Sequence, residues 1–199
     1  MQPAYYENFD EIISKIWLML NDAVTNRSSQ FRIPVFICGT QNDFDGRIVV
    51  LRKSDQDNNL IQFNSDIRSD KIKKLKSNNR ASLIFYDKEE KIQVRTKVEC
   101  TVNHKNEITE QSWLKTAHIS RKCYLVDNGP GTESDEPTSG LKPEKDNFDY
   151  TMEESEKGYE NFTVIQCKVK SFEWLYLAAK GHRRARFDLE NDKRIWLVP

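Results

Sequence analysis

At 199 residues, with 31 Lys and Arg against 31 Asp and Glu, the chain fits one domain with appendages. It has no net field to draw it to nucleic acid or to an anionic membrane. No apolar run reaches transmembrane length, and the opening MQPAYYENFD lacks a basic-then-apolar leader.

Residues 8–24 form an amphipathic helix, with Ile12, Ile13, Ile16, Trp17, Leu20 and Val24 at i, i+3/i+4 spacing. Residues 27–30 are linker, so residues 1–30 make a helix and its tether. Three segments of strand character follow, at 33–40, 47–52 and 60–64, and the links between them are rich in Asn, Asp and Gly as hairpin turns are. A short helix is expected at 70–77 and a strand at 81–86. Residues 91–102 alternate cleanly, with Ile92, Val94, Val98, Cys100 and Val102 on one face and Gln93, Arg95, Lys97 and Glu99 on the other, which marks an antiparallel strand with one buried face.

Residues 107–118 read as a second helix on Ile108, Trp113 and Leu114. Residues 127–160 differ in kind: Gly, Pro and acidic residues dominate, and the segment reads as a partly ordered polar flap or, alternatively, a mobile insertion. Strand character returns at 162–177, and 184–189 pairs with 194–198 across a polar turn. Seven or eight mostly sequential strands, with helices at the crossovers, argue for a mainly β antiparallel barrel with peripheral helices, in a single domain. Cys38, Cys100, Cys123 and Cys167 contain no CxxC, and His104, His118 and His182 add no zinc-type spacing. They read as reduced thiols of a cytoplasmic protein, three of them on strands, and no metal is expected.

The stretch 60–75, LIQFNSDIRSDKIKKL, carries the chemistry. A strand breaks at Asn64-Ser65-Asp66 and restarts as a helix with Ser69 placed as N-cap and Ile72 and Leu75 as its buried stripe. A helix N-terminus offers unpaired N–H groups and a positive dipole end, so Arg68, Ser69 and Lys71 there suit a phosphate dianion. A solvated basic face, continued by Lys73, Lys74 and Lys76, fits the same residues.

From about residue 31 to 141, and more loosely over 172–199, the chain resembles the pyridoxamine 5′-phosphate oxidase-like proteins, the FMN-binding split barrels. Arg47-Ile48-Val49-Val50-Leu51-Arg52 is similar to the family's Arg-apolar-Val-Leu-apolar-Lys strand, Asn64 with Ser69-Asp70-Lys71 to its Asn…Ser-x-Lys phosphate loop, and Gln93-Val94-Arg95 to the Gln-Val-Arg of the following strand. Arg186-Phe187 and the final Leu197-Val198-Pro199 are similar to its closing motifs. The resemblance implies a homodimer with FMN in clefts between the subunits. Arg47, Arg68, Ser69 and Lys71 would hold the flavin phosphate, the backbone of Ile48, Val49, Val50 and Leu51 would edge the ring, and Gln93 would meet its carbonyl and N3 region. Arg186 of the partner subunit would sit near N1. Successive strand positions put Arg47 and Arg52 on opposite faces, so Arg52 is assigned to the substrate side. For both arginines a cross-strand salt bridge is the plain alternative, and for Gln93 an exposed barrel position.

The substrate half departs from the family. Its Arg-x-His-x-Arg stands here as His182-Arg183-Arg184-Ala185-Arg186, with only the last Arg in place. The position of a substrate-binding tyrosine is Ala117, and the flap's Gln-Ser is matched only by Ser139. Arg52, Arg121, Ser139 and Arg184 remain as candidate substrate contacts, and no catalytic acid or base is assigned. The resemblance implies an FMN-dependent oxidoreductase of unknown small-molecule substrate; a non-catalytic flavin-binding or stress-related module, and a genuine pyridoxamine or pyridoxine 5′-phosphate oxidase, are the alternatives. The three histidines are too few and too loosely placed to encourage a haem ligand.

Overall fold

A computed structural model describes residues 4–141 and 150–199. Helix α1 (Phe9–Thr25) starts at Asn8, whose side-chain oxygen accepts from the Asp10 amide at 2.9 Å and so satisfies a donor left open by the helix end. Its apolar stripe, Ile12, Ile16, Trp17, Leu20 and Ala23, is buried, and α1 packs against β3.

Nine strands follow: β1 (Val35–Gly39), β2 (Phe44–Ile48), β3 (Leu51–Asp55), β4 (Leu60–Asp66), β5 (Arg80–Asp87), β6 (Ile92–Asn103), β7 (Phe162–Tyr176), β8 (Arg183–Asp188) and β9 (Lys193–Leu197). Every pairing among them is antiparallel. The sheet runs β2-β1-β5-β6-β7-β4-β3, with β8 and β9 continuing from β7. Only Val49 and Val50 separate β2 from β3 in the chain, yet these two strands stand at opposite ends of that path. The sheet must therefore curl until its ends nearly meet, which makes a split antiparallel barrel.

That closure corrects the single strand expected at 47–52. Val49 leaves the ladder, donating to the Pro34 carbonyl at 3.1 Å, and the chain crosses from one end of the sheet to the other. Among the described residues the count is accordingly nine strands, one more than the upper expectation. The alternation read in β6 holds: Ile92, Val94, Val98 and Cys100 are buried, with Thr96 buried on the same face. The barrel interior is aromatic-rich, with Phe36 and Phe63 at 4.8 Å and Trp17 against Phe172 at 5.3 Å.

One helical expectation changes. The helix expected at 107–118 divides into α3 (Glu107–Leu114) and α4 (His118–Arg121), because the Thr116 hydroxyl takes the Ser112 carbonyl at 2.8 Å and Arg121 takes those of Trp113 and Thr116. Residues 127–141 hold no helix or strand, whereas α5 (Met152–Glu156) opens on a Thr151/Glu154 capping box; residues 142–149 of the expected flap lie outside the described residues. A second, smaller cluster of Trp113, Phe162 and Val164, flanked by Ile108, Tyr124 and Tyr159, packs this lobe onto the end of β7. The short helix at 70–77 is present as α2 (Asp70–Ser77), burying Ile72 and Leu75.

Candidate functional site: a cation–serine cradle and a basic cavity

β4 deals its side chains alternately to two places. Phe63 and Ser65 point one way, Gln62 and Asn64 the other. On the first side Ser65 meets the start of α2. Lys71 Nζ lies 2.8 Å from Ser65 Oγ and 3.2 Å from Ser69 Oγ, and the two hydroxyls are 3.2 Å apart. Both serines are buried. Arg47, set opposite Phe36 on β1, is close enough to repel Lys71, and its Nε is buried with no hydrogen-bond partner. Burial first, then Arg47, presses the Lys71 ammonium below its ordinary value. Lys71 has no ion pair among the described residues. Arg47 is also ion-paired with Asp45, so the cation an anion would relieve here is Lys71, set among two hydroxyls and the open end of α2.

Sequence reasoning placed Ser69 as a side-chain cap. Its backbone has cap geometry, but its hydroxyl donates instead to the Asp66 carbonyl at 2.7 Å, leaving the first-turn amides of α2 without a side-chain cap. Arg68 is corrected more sharply. Its Nε and Nη2 bind the two Asp66 carboxylate oxygens at 3.0 and 2.8 Å, and Nη1 binds the Val126 and Asp127 carbonyls. Those donors are spent, so Arg68 ties the 126–127 chain to β4 and adds none of them to the cradle. Ser65 was not singled out; the signal for it was its place one step from Asn64, on the face that the strand period sends towards α2.

The second side opens on a cavity of about 790 Å³ walled by the end of α1, by β3 and β4, and by α3 and α4. Arg52 lines it together with Lys53. Consecutive residues of a regular strand face opposite ways, but the β3–β4 register passes from Leu51/Phe63 to Lys53/Gln62, so Arg52 is an extra, bulged residue. This resolves the tension between Arg47 and Arg52: they serve different places. Partial desolvation, then repulsion from Arg32 and Arg27, lowers the Arg52 pKa from its ordinary value. Ala117 and Ser120 line the same cavity, as does Asn64, whose Oδ1 is buried without a partner. Arg27, Lys53 and Lys115 are lining residues the sequence did not reveal, because they come from three elements far apart in the chain.

Arg121 does not reach the cavity. It is 2% exposed, lies over the Trp113 ring at 4.5 Å, and binds the Trp113 and Thr116 carbonyls at 3.0 and 3.2 Å and the Glu156 carboxylate. Glu156 also accepts from Trp113 Nε1 at 2.7 Å; that bond, with Arg121, holds its carboxyl below the ordinary range against a smaller contribution from burial. The expected substrate contact is a strut between α4 and α5. Ser139 stands on an exposed loop, accepting from the Leu141 amide, outside the cavity lining.

Gln93, Arg184 and Arg186 occupy a third place. Register puts Gln93 opposite Leu175 and Leu175 opposite Arg184, while Arg95, Glu173 and Arg186 form the neighbouring row. All six share the outer face of the sheet. Arg184 Nε binds Glu173 at 2.9 Å and Arg95 binds the same carboxylate. Burial raises the Glu173 pKa, but the two arginines outweigh it and hold the carboxyl low. Arg184 therefore shares the single Glu173 carboxylate with Arg95, whereas Arg186 is exposed and has no ion pair among the described residues.

Residues 16–104 match the family model described as pyridoxamine 5′-phosphate oxidase, FMN-binding domain. No curated protein matches the chain. Among solved structures, a pyridoxamine 5′-phosphate oxidase-related, FMN-binding protein from Nostoc punctiforme is 15% identical, with both chains covered completely and a TM-score of 0.71. PhzG from Burkholderia lata, solved with tetrahydrophenazine-1-carboxylic acid, is 16% identical over 100% of this chain and 98% of its own, with a TM-score of 0.70. A Clostridium acetobutylicum protein related to general stress protein 26 is 12% identical over 90% and 98%, with a TM-score of 0.55. At these identities the structures share the fold. The matched FMN-binding domain model spans residues 16–104, which contain the whole cradle, and the chain has the split-barrel fold of these structures.

Proposed function

We propose that this protein is a cytoplasmic homodimeric flavoprotein that binds FMN and acts as an FMN-dependent oxidoreductase on a small molecule other than pyridoxamine 5′-phosphate. The observation that carries the reading is Lys71, an ammonium held by the buried hydroxyls of Ser65 and Ser69 beside Arg47, with no carboxylate on it. These four residues fit the FMN phosphate, through charge-assisted hydrogen bonds about twice as strong as neutral ones.

The 48–51 backbone crosses between the barrel's ends next to Arg47, and the exposed Ile48 side chain there suits contact with a ring or a second subunit. Gln93 on the outer face supplies an amide able to donate and accept, and Arg186 of the partner subunit supplies the positive charge near the flavin's N1. Bound FMN would supply hydride and electron chemistry. The chain's contribution is to bind, orient and shield, since among the described residues the cavity lining holds no Asp, Glu, His, Tyr or Cys to act as acid or base. A substrate set that keeps Arg52 but has Ala117 in the cavity and turns Arg121 into a strut argues against the orthodox vitamin substrate.

The test is extraction and mass identification of the cofactor from purified protein, followed by anaerobic reduction with NADH or NADPH and exposure to oxygen. FMN with reoxidation supports the reading. FMN without turnover reduces it to a passive flavin binder, and loss of any flavin signal after reconstitution sinks it.

A further inference from the structure

We propose that Cys100 and Cys167 are a reversible dithiol–disulfide couple, oxidised by hydrogen peroxide to a bond that clasps β6 to β7 at the root of the helical lobe. The inference does not rest on the flavoprotein reading.

The first ground is register. Cys100 on β6 stands directly opposite Cys167 on β7. The Cys100 amide turns away from β7 and donates to the Asn79 carbonyl at 2.8 Å. The Val169 amide turns away from β6 and donates to the Asn59 carbonyl at 2.7 Å; Cys167, two residues earlier on the same strand, turns its amide the same way. The cysteines are therefore a non-hydrogen-bonded pair, the class whose α-carbons approach to about 4.5 Å and whose side chains come closest. A disulfide accepts α-carbons from about 4.4 Å apart, so the backbone is already in place. The sulfurs lie 3.5 Å apart and share a weak hydrogen bond. Closing them to the bonded distance of about 2 Å is a movement of side chains alone.

The second ground is topology. A single buried cysteine is a small apolar filler; these two are in contact, and the chain between them leaves the sheet, builds α3, α4 and α5, and returns. A bond at that root closes the whole excursion, and a cross-link restrains the unfolded chain more the longer the loop it closes. The pair also stands at the short end of the disulfide range, which leaves the bond open to reduction. Among the described residues no third ligand joins the thiols in a group suited to a metal ion. The step balances with peroxide as oxidant. The Cys100 sulfur, 5% exposed against the fully buried Cys167, attacks one peroxide oxygen. The O–O bond breaks, the departing hydroxide takes the thiol proton as water, and Cys100 becomes a sulfenic acid. The Cys167 sulfur then attacks the Cys100 sulfur, the S–O bond breaks, and the second thiol proton leaves in a second water. The two sulfurs give up two electrons and the peroxide takes them. Burial, then the contact with Cys100, pushes the Cys167 thiol well up and keeps it protonated, so the couple responds slowly, to sustained peroxide.

The experiment uses the full-length Cys123→Ser protein, because the exposed Cys123 would otherwise consume oxidant. The protein is reduced with dithiothreitol, desalted, held in hydrogen peroxide at neutral pH overnight, and then alkylated in urea. Of the three thiols left, Cys38 alone should take the label. Digestion without reductant should yield a peptide joining Cys100 to Cys167, and dithiothreitol should restore labelling at all three. The oxidised protein should unfold at a urea midpoint about 1 M above that of the reduced protein. Full labelling after peroxide, sulfinic acid in place of a bond, a bond to Cys38, a bond that dithiothreitol fails to open, or a midpoint unmoved or lowered by oxidation would overturn the proposal.

Discussion

Lys71 Nζ sits 2.8 Å from Ser65 Oγ, so the ammonium in the first turn of α2 is matched with a hydroxyl of β4 where a carboxylate would be the cheaper partner. An arrangement that leaves a half-buried cation uncompensated makes sense if a ligand brings the negative charge. Replacing Lys71 and Arg47 together by Ala removes both cations; at about 1.5–3 kcal/mol for each charge-assisted bond, FMN affinity should fall roughly a thousandfold. The readout is the flavin-to-protein absorbance ratio after dialysis. A double variant that still holds stoichiometric FMN counts decisively against the cradle.

The depressed pKa of Lys71 gives that site a pH signature. Burial and Arg47 favour the neutral amine, so the lysine loses its proton below the ordinary 10.5. The FMN phosphate is already a dianion above about pH 6, leaving the lysine as the titrating partner. Flavin affinity should then decline as pH rises through the lowered Lys71 value. For the flavin-free fold the sign is opposite: the unfolded chain holds the proton more tightly, so stability grows as pH rises between the folded value and 10.5. Fluorescence titration of FMN at alkaline pH checks this, and Lys71→Arg, charged throughout, should flatten the decline.

How much of this was legible depended on distance along the chain. The strand period announced β6, and Ser69 with Lys71 pointed to the start of α2, because these residues lie within a few positions of one another; Ser65 was missed. The break at Val49 was not legible: nothing in Ile48-Val49-Val50-Leu51 says that β2 and β3 belong to opposite ends of a curled sheet. Arg68 and Arg121 read as ligands because a motif gives residue type and order, whereas the partners that consume their donors, Asp66 with the 126–127 carbonyls and Glu156 with the α3 carbonyls, are set by packing. Lys115 and Arg27 had no local signal at all.

Arg121 as a strut carries its own prediction. Arg121→Ala removes the hydrogen bonds to the Trp113 and Thr116 carbonyls and leaves Glu156, whose outer side is open to solvent, with Trp113 Nε1 but no cation. That exposure discounts the loss to about 2–3 kcal/mol, read as a lowered urea midpoint. Glu156 adds a pH arm: its folded pKa is lowered, so its contribution is complete above 4.5 and disappears as pH falls through the folded value. A full loss of substrate affinity with the urea midpoint unmoved would restore Arg121 to the role of ligand.

The thiols separate in the same physical way. Cys38, Cys100 and Cys167 are buried, and burial pushes the Cys38 and Cys167 thiols up, whereas Cys123 is exposed. Alkylation of native protein at neutral pH should modify Cys123 alone, and all four after unfolding. Mass spectrometry of the intact chain counts the adducts. Rapid native labelling of the Cys100–Cys167 pair, whose sulfurs lie 3.5 Å apart across β6 and β7, would mean that the centre of the sheet opens far more readily than its packing indicates.

Arg184 and Arg186 lie two residues apart on β8 and share a face, yet only one has charge to spare. Arg184 is matched by Glu173, which Arg95 also holds; Arg186 has no ion pair among the described residues. If Arg186 of the partner subunit faces the flavin's N1, it stabilises the reduced, anionic ring, and removing it should make reduction harder. A partly exposed charge contributes about 1–2 kcal/mol, so for a two-electron couple Arg186→Ala should lower the potential by on the order of 20–40 mV. Arg184→Ala, removing a charge partly offset by Glu173, should move it less. Redox titration of both FMN-loaded variants decides the matter. Equal shifts, or none in Arg186→Ala, would place the flavin ring away from this face and with it the proposed dimer seam.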